Sequence, residues 1–242
     1  MTIVDSSYVI AAAINETANS LGKPCVTRQT VLKFAALSLE DFLREIWGEW
    51  RREWIDLYRE KAAPLEYEIR PFPGVPRVLT ALRERGIFLA VASNRYNPRA
   101  AMDKSKTSRY FHAVVGPIDG LPRKPNPAML ENLMERFGVA RSETLYVGDS
   151  DVDLEAGFAA GVRTVGVTTG DFSRAQLEKL GAWRVIDSIE SLLPIVAGYM
   201  HENESENENG NGNEEEDEDE NIAGGECGDL RKRGCREHAA GK

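Results

Sequence analysis

An acidic segment follows an apolar stretch and opens a helical one: Val147-Gly148-Asp149-Ser150-Asp151-Val152-Asp153. Its three carboxylates, on Asp149, Asp151 and Asp153, lie within five residues and repel one another unless a cation is close. Carboxylate oxygens are the hard ligands that Mg²⁺ prefers. The segment therefore predicts a magnesium site. The alternative is capping of the following helix by Asp149 or Ser150, which needs only one acidic residue.

Two further polar groups lie at or beside the ends of predicted strands. Ser93-Asn94 comes directly after the apolar run that ends at Ala92. A hydroxyl beside an amide suits hydrogen bonding to phosphate oxygens, although Ser-Asn after a strand is also a common turn. In Lys124-Pro125-Asn126-Pro127, two prolines restrict the backbone next to one lysine. Such a lysine can neutralise a phosphate or an ionised nucleophile; a solvated surface lysine is the alternative.

Short strands alternating with helices are predicted to position these groups. Apolar runs typical of buried strands occupy residues 87–92, 113–115, 145–147, 163–167 and 183–186. Helical segments are predicted over residues 75–85, 127–137, 154–160 and 189–197. This alternation predicts an α/β fold with a parallel sheet and helices on both faces. Ligands of such sheets bind at the carboxyl ends of the strands.

The N-terminal part, residues 7–62, is predicted to be largely helical. One helix has an apolar face from Val9 to Leu21 and ends at Gly22. A second is predicted from about Ser38 to Lys61, with a stripe of aromatic residues at helical spacing. We interpret this stripe as packed core; a ligand-binding box is the alternative.

Composition narrows the classes of function. The chain has 242 residues and a formal net charge of −9, but residues 201–220 alone carry 11 acidic and no basic side chains. Residues 1–200 are neutral overall, which argues against a nucleic-acid surface. Residues 201–242 are predicted to be a disordered acidic tail, with contact to a protein partner as the alternative. The absence of long apolar runs and of a basic leader predicts a cytoplasmic protein with no membrane partner.

As a set, Ser93-Asn94, Lys124-Pro125 and Gly148-Asp149-Ser150-x-x-Asp153 resemble the haloacid dehalogenase-like (HAD) superfamily, and most closely its phosphoglycolate phosphatase-like branch. The resemblance implies a Rossmann-like core over residues 71–200 and a helical cap over residues 1–70. It implies that Ser93, with Asn94 beside it, binds the transferred phosphoryl group and that Lys124 stabilises the charge of nucleophile and phosphate. Asp149 is implied as a Mg²⁺ ligand, with Asp153 binding the ion or orienting its waters.

The family's first motif, a strand ending in Asp-x-Asp-Gly-Thr, is matched only in its last part. Thr2 matches the threonine, residues 3–6 match the apolar pair and the Asp-Ser that come after it, and Met1 falls at the glycine. The two aspartates are the family's nucleophile and its general acid/base. We therefore expect a chain truncated at its N-terminus. Loss of this central strand is expected to leave backbone groups unpaired on the two strands that flank it.

These residues support two hypotheses of function. The first is a Mg²⁺-dependent phosphomonoesterase acting on a small phosphorylated metabolite such as phosphoglycolate. The alternative is a catalytically inactive HAD-like protein that binds phosphate or Mg²⁺ and acts in regulation. A third hypothesis is metal binding in the tail by Cys227, Cys235 and His238. Four arginines of the cap are candidates to face a substrate carboxylate, or are solvent-facing charges: Arg28, Arg44, Arg51 and Arg52.

Overall fold

The computed structural model describes residues 1–200. The predictions of a disordered tail over residues 201–242, and of a metal site at Cys227, Cys235 and His238, lie outside this part of the chain. Across residues 1–200, no helix is both long enough and apolar enough to cross a membrane.

The first part of the chain, which we call the cap, is a group of four helices. One short strand precedes these helices along the chain and another follows them. Its elements are β1 (Val4–Asp5), α1 (Ser7–Leu21), α2 (Arg28–Phe34), α3 (Leu39–Trp47), α4 (Arg52–Leu65) and β2 (Arg70–Pro71). β1 and β2 pair antiparallel, with Val4 opposite Pro71, so the two connections between cap and core lie side by side. The helices pack around a buried apolar cluster formed by Ile14, Val31, Phe42, Leu43, Trp54 and Ile55. The aromatic stripe is thus part of a packed core.

The single helix predicted from about Ser38 to Lys61 is wrong, because α3 and α4 are separate helices. Gly48 ends α3 with a φ of 79°, in the left-handed region that glycine reaches without a steric penalty. Helix α2 was not predicted. Its start has a local signal, since the Thr27 side chain accepts a hydrogen bond from the Thr30 N–H.

The core alternates strands and helices, which confirms the predicted α/β fold. Its elements are α5 (Val75–Glu84), β3 (Ala90–Ala92), α6 (Pro98–Lys104), β4 (Ala113–Val115), α7 (Ala128–Phe137), β5 (Leu145–Gly148), α8 (Asp151–Ala160), β6 (Arg163–Val167), α9 (Arg174–Lys179), β7 (Arg184–Ile186) and α10 (residues 192–200). The strand predicted over residues 87–92 is shorter than expected, because the ladder with β4 covers only Ala90–Ala92.

The parallel strands form two separate sheets. β3 pairs with β4, and β5, β6 and β7 pair in that order. Among residues 1–200, no strand lies between β3 and β5. One apolar cluster joins the two sheets nevertheless. It has buried members on α5, β6 and α10, and both Leu89 near β3 and Val147 of β5 pack against it.

Candidate active site

A buried ion pair lies at the carboxyl ends of β3 and β5. The Lys124 ammonium donates to Asp153 Oδ1 at 2.5 Å, to the Tyr146 hydroxyl at 2.8 Å and to the Ala92 carbonyl at 3.0 Å. The side chains of Lys124 and Asp153 are only 9% and 8% exposed. Since Ala92 ends β3 and Tyr146 belongs to β5, one lysine connects the two sheets.

Both members of this pair are held in their charged forms. Burial lowers the pKa of Lys124, but Asp153 and Tyr146 together outweigh burial and hold this pKa well above its ordinary value. Burial likewise raises the pKa of Asp153, yet the Lys124 ammonium and the Ser150 hydroxyl bring it well below its usual range. The result is a charged ammonium and a charged carboxylate in one buried pair, which is neutral overall.

Asp149 lies beside this pair and carries a different set of contacts. Its Oδ1 accepts a hydrogen bond from the Thr2 hydroxyl at 2.9 Å, and its Oδ2 forms an ion pair with the Met1 ammonium. The Met1 carbonyl in turn accepts from the Thr169 hydroxyl at 2.8 Å. A Cβ on Gly170 would lie 2.3 Å from Asp149 Oδ2, so only glycine leaves room for this carboxylate. The start of the chain is therefore fixed at the candidate site.

Asn94 and Ser93 differ in what they contact. Asn94 Oδ1 accepts from the Lys124 N–H at 2.7 Å, and its Nδ2 donates to the Lys124 carbonyl at 3.0 Å. These bonds hold the backbone of Lys124, which precedes a cis peptide bond to Pro125. The Ser93 hydroxyl accepts from the Arg95 N–H at 3.2 Å and lines the cavity between cap and core. Binding of phosphate by Ser93 and Asn94 stays a prediction.

The three acidic residues of the Asp149 segment do not form one cluster. Asp151 Oδ1 accepts from the neighbouring Val152 N–H at 2.7 Å, whereas Asp153 pairs with Lys124. Among residues 1–200, no group of three or more His, Cys, Asp or Glu residues could hold a metal ion. The Lys124 ammonium is a cation close to the segment and neutralises Asp153, whereas binding of Mg²⁺ by Asp149 and Asp153 stays a prediction.

A single carboxylate, that of Asp149, fits a metal ion at this site. Its carboxylate is a hard oxygen donor at the cavity. Both oxygens of Asp153 are occupied. Oδ1 accepts from Lys124 and Tyr146, and Oδ2 accepts from the Ser150 hydroxyl and the Asp149 N–H. Direct binding of Mg²⁺ by Asp149 stays a prediction.

All four cap arginines proposed for a substrate carboxylate pair with carboxylates of the cap itself. The pairs are Arg28 with Asp5, Arg44 with Asp41, Arg51 with Glu49 and Arg52 with Asp56. These contacts favour the alternative of structural or solvent-facing charges. A different arginine, Arg123, lines the cavity and donates to the Asn94 carbonyl.

Sequence reasoning missed Tyr146 and Thr2 as members of the site. Tyr146 lies within an apolar strand, where an aromatic residue is ordinary core. Its hydroxyl nevertheless accepts from Lys124 and donates to Asp153 at 2.9 Å. The available signal was its place three residues before Asp149, in the strand that opens the acidic segment.

The Asp153 ion pair predicts that the free energy of unfolding falls as the solution becomes acidic. The pKa of Asp153 is lower in the folded chain than its ordinary value of 3.8. The unfolded chain therefore binds more protons as the pH falls from about 5 toward the folded pKa, and the stabilisation from Asp153 is lost over that window. We expect Asp153→Asn to flatten the fall in free energy of unfolding between about pH 5 and 3.

Urea unfolding at several pH values measures this effect. Asp103→Asn is the matched control, because Asp103 is an exposed aspartate on α6. With Asp103→Asn, the free energy of unfolding should fall with decreasing pH as steeply as in the parent chain. Equal slopes for the parent and Asp153→Asn would contradict the charged buried pair.

The chain is similar in sequence to known proteins. Residues 1–167 match the family model described as haloacid dehalogenase-like hydrolase. A phosphoglycolate phosphatase from Aquifex aeolicus is 31% identical over 168 residues, which cover 67% of this chain and 78% of the relative. Another from Pseudomonas putida is 30% identical over 206 residues, covering 80% and 75%. Both matches confirm the resemblance seen in the motifs.

Solved structures agree in fold. A predicted phosphoglycolate phosphatase from Haemophilus somnus has a TM-score of 0.70 at 22% identity, with 80% of this chain and 92% of that one covered. A predicted phosphatase from Clostridium acetobutylicum also has a TM-score of 0.70 at 22% identity, covering 81% and 94%. At this identity the likeness supports the α/β architecture with its cap.

Proposed function

Because the chain belongs to the haloacid dehalogenase-like hydrolase family, we propose that it is the phosphate- and metal-binding body of a Mg²⁺-dependent phosphomonoesterase. The observation that carries the proposal is the buried Lys124 ammonium at two strand ends, with the Asp149 carboxylate on the same cavity. In the proposed site the Lys124 ammonium pairs with a phosphate oxygen, and the Asp149 carboxylate is a hard ligand for the accompanying metal ion. The relatives named phosphoglycolate phosphatases make phosphoglycolate the first substrate to test.

Each residue has its own role in the proposed site. The Ser93 hydroxyl and the Lys124 ammonium bind the phosphoryl group, and Asn94 holds the backbone of Lys124. Asp149 holds Mg²⁺, which when bound neutralises phosphate charge and polarises a phosphoryl oxygen. Asp153 positions Lys124 and keeps it protonated. A direct contact of Asp153 with Mg²⁺ or its waters stays a prediction.

The proposed nucleophile is an aspartate that precedes Met1. Residues 2–6 match the part of the family's first motif that comes after its aspartates. The Met1 ammonium also lies against Asp149, so side chains joined ahead of it would reach the Lys124 end of the cavity. In the proposed reaction this aspartate attacks phosphorus, and the leaving alcohol takes a proton from a second carboxylic acid. Water then hydrolyses the aspartyl-phosphate and regenerates the carboxylate.

The test is phosphate release from phosphoglycolate in the presence of Mg²⁺. One protein has an apolar strand ending in Asp-x-Asp-Gly joined directly to Thr2, and the other is the chain beginning at Met1. We expect turnover of about 1 s⁻¹ or more from the extended protein, within the usual range of enzymes. The chain that begins at Met1 should show none above background, because it has no nucleophile in place.

An extended protein with asparagine for the first aspartate is the matched control and should be inactive. A folded extended protein that is inert toward phosphomonoesters would contradict the proposal. Calorimetry with inorganic phosphate and Mg²⁺ then tests the alternative, a binding protein without turnover.

A further inference from the structure

Three arginines lie at the amino ends of β5, β6 and β7, opposite the candidate active site at the carboxyl ends of the strands. Arg163 is the first residue of β6, and Arg184 is the first residue of β7. Arg141 comes shortly before β5, and a Cβ on Gly161 would lie 3.3 Å from its side chain, so Arg141 packs beside the start of β6. We call these three residues the arginine surface.

Two aromatic rings orient the guanidinium groups of this surface. The guanidinium carbon of Arg163 lies 5.0 Å from the ring centroid of Trp183 and 5.0 Å from that of Tyr199. The guanidinium carbon of Arg184 lies 4.7 Å from the Trp183 centroid. A ring over the flat face of a guanidinium restricts its orientation, while the N–H donors lie in the plane of the group, where they suit carboxylates. The surface is therefore pre-arranged for acidic side chains.

Carboxylates of residues 1–200 leave positive charge at two of the three arginines. Arg184 donates to the Trp183 carbonyl at 2.9 Å, and within residues 1–200 no carboxylate forms an ion pair with it. Arg141 and Glu131 are 4.0 Å apart and both side chains are exposed, which makes their ion pair weak. Among the described residues, the arginine surface is thus positively charged at Arg141 and Arg184.

The last helix of the described part of the chain ends at the same place. The Tyr199 hydroxyl of α10 lies 2.5 Å from the Ser142 carbonyl and 3.1 Å from the Thr144 carbonyl, just before β5. In the sequence that follows, every second residue is a glutamate, and we call these four the first acidic run: Glu202, Glu204, Glu206 and Glu208. In an extended chain, alternate side chains point to the same side and are about 6.7 Å apart. An extended first acidic run presents all four carboxylates to one surface.

We propose that the first acidic run docks on the arginine surface of its own chain, as an extended segment whose glutamates pair with the three guanidinium groups. Glu202 is only three residues beyond Tyr199, whose ring contacts Arg163. So short a connection gives an effective concentration in roughly the millimolar range. The acidic residues of positions 214–220 are consecutive instead, and in an extended chain they point alternately to opposite sides. Docking neutralises an exposed surface that otherwise attracts anionic polymers.

NMR spectroscopy of the full chain at low salt tests the contact through the arginine side chains. The first variant has glutamine in place of all four glutamates of the first acidic run. We expect the Nε–H signals of Arg163 and Arg184 to shift, and these protons to exchange with water about threefold faster or more, because they lose their carboxylate partners.

A second tail variant is the matched control for this measurement. It has glutamine at four later positions, so that both variants have the same net charge and the same residues 1–200: Glu214, Glu215, Glu216 and Glu218. The Nε–H signals of Arg163 and Arg184 should stay where they are in the parent chain. Equal effects of the two variants, or no effect of either, would overturn the proposal.

Cleavage of the full chain by a glutamate-specific protease tests the contact from the other side. Arg163→Gln combined with Arg184→Gln should speed cleavage within the first acidic run by about threefold or more, because the undocked segment is open to the protease. Cleavage within residues 214–220 should keep its rate and is the internal control. Arg51→Gln combined with Arg52→Gln removes the same charge from exposed arginines of the cap and should change neither rate.

Other occupants of the arginine surface give different results. Arg163 and Arg184 signals that ignore both tail variants but shift when heparin is added would assign the surface to a separate anionic partner and overturn the proposal. Faster cleavage of both acidic stretches in the Arg163→Gln, Arg184→Gln chain would likewise contradict docking of the first run. None of these outcomes depends on phosphoglycolate hydrolysis, because the arginine surface lies at the opposite ends of the strands from the candidate active site.

Discussion

Replacing Lys124 by methionine is expected to lower the free energy of unfolding by about 3–5 kcal/mol, the usual cost of leaving one member of a buried ion pair without its partner. Methionine keeps the length and apolar character of the side chain but removes the ammonium. The Asp153 carboxylate is then buried without its counter-ion, and the Ala92 carbonyl loses the donor that joins the sheets. Urea unfolding near pH 7 measures the loss.

A double-mutant cycle separates this ion pair from a general packing defect. Asn at position 153 removes the uncompensated charge, so the variant with both Lys124→Met and Asp153→Asn should be more stable than Lys124→Met alone. Lys33→Met is the matched control, because Lys33 is an exposed lysine on α2, and its effect should stay within about 0.5 kcal/mol. A loss below about 1 kcal/mol for Lys124→Met, or no recovery in the double variant, would contradict the role given to this pair.

Asp149→Asn, introduced into the extended protein with the upstream strand, is expected to lower kcat by about a thousandfold or more. A metal ion contributes several kcal/mol of charge stabilisation in such sites, and each 1.36 kcal/mol is a factor of ten in rate. Asparagine keeps the shape and the bond to the Thr2 hydroxyl but removes the negative charge. Phosphate release measured against Mg²⁺ concentration should also show a higher half-saturating concentration.

Asp151→Asn is the natural control for this prediction. Asp151 belongs to the same acidic segment but accepts its hydrogen bond from the adjacent Val152 N–H. Its replacement should change kcat by less than about threefold, which corresponds to under 1 kcal/mol. If Asp149→Asn and Asp151→Asn behaved alike, or if neither changed the dependence on Mg²⁺, Asp149 would not be the metal ligand.

The cap shows which helix boundaries can be predicted from local sequence patterns. Apolar spacing and Gly22 correctly predicted α1, because both the face and the stop are encoded within one helix. The separation of α3 from α4 was missed, although Gly48 marks it. A glycine inside a helical pattern either is tolerated or ends the helix, and the packing of Trp54 and Phe42 into one cluster decides between these outcomes.

At the site, too, the sequence predicted some features and missed others. Types and order of residues were enough to select Ser93, Lys124, Asp149 and Asp153, since polar groups after apolar strands meet at one edge of a parallel sheet. Their pairing was not predictable, because Lys124 and Asp153 are 29 residues apart and meet only in the folded chain. The structure shows Asp153 as the counter-ion of Lys124, and its contact with Mg²⁺ or the ion's waters stays a prediction.

The amino-acid sequence by itself determined the α/β class, the helical nature of the cap and the family, and it supplied the candidate residues for phosphate and metal binding. Each of these depends on short-range periodicity or on residue type and order. Only the tertiary structure decided which charges pair, that Met1 lies against Asp149, and that Lys124 contacts both β3 and β5. These features depend on contacts between distant segments, where burial and desolvation select partners that no local pattern specifies.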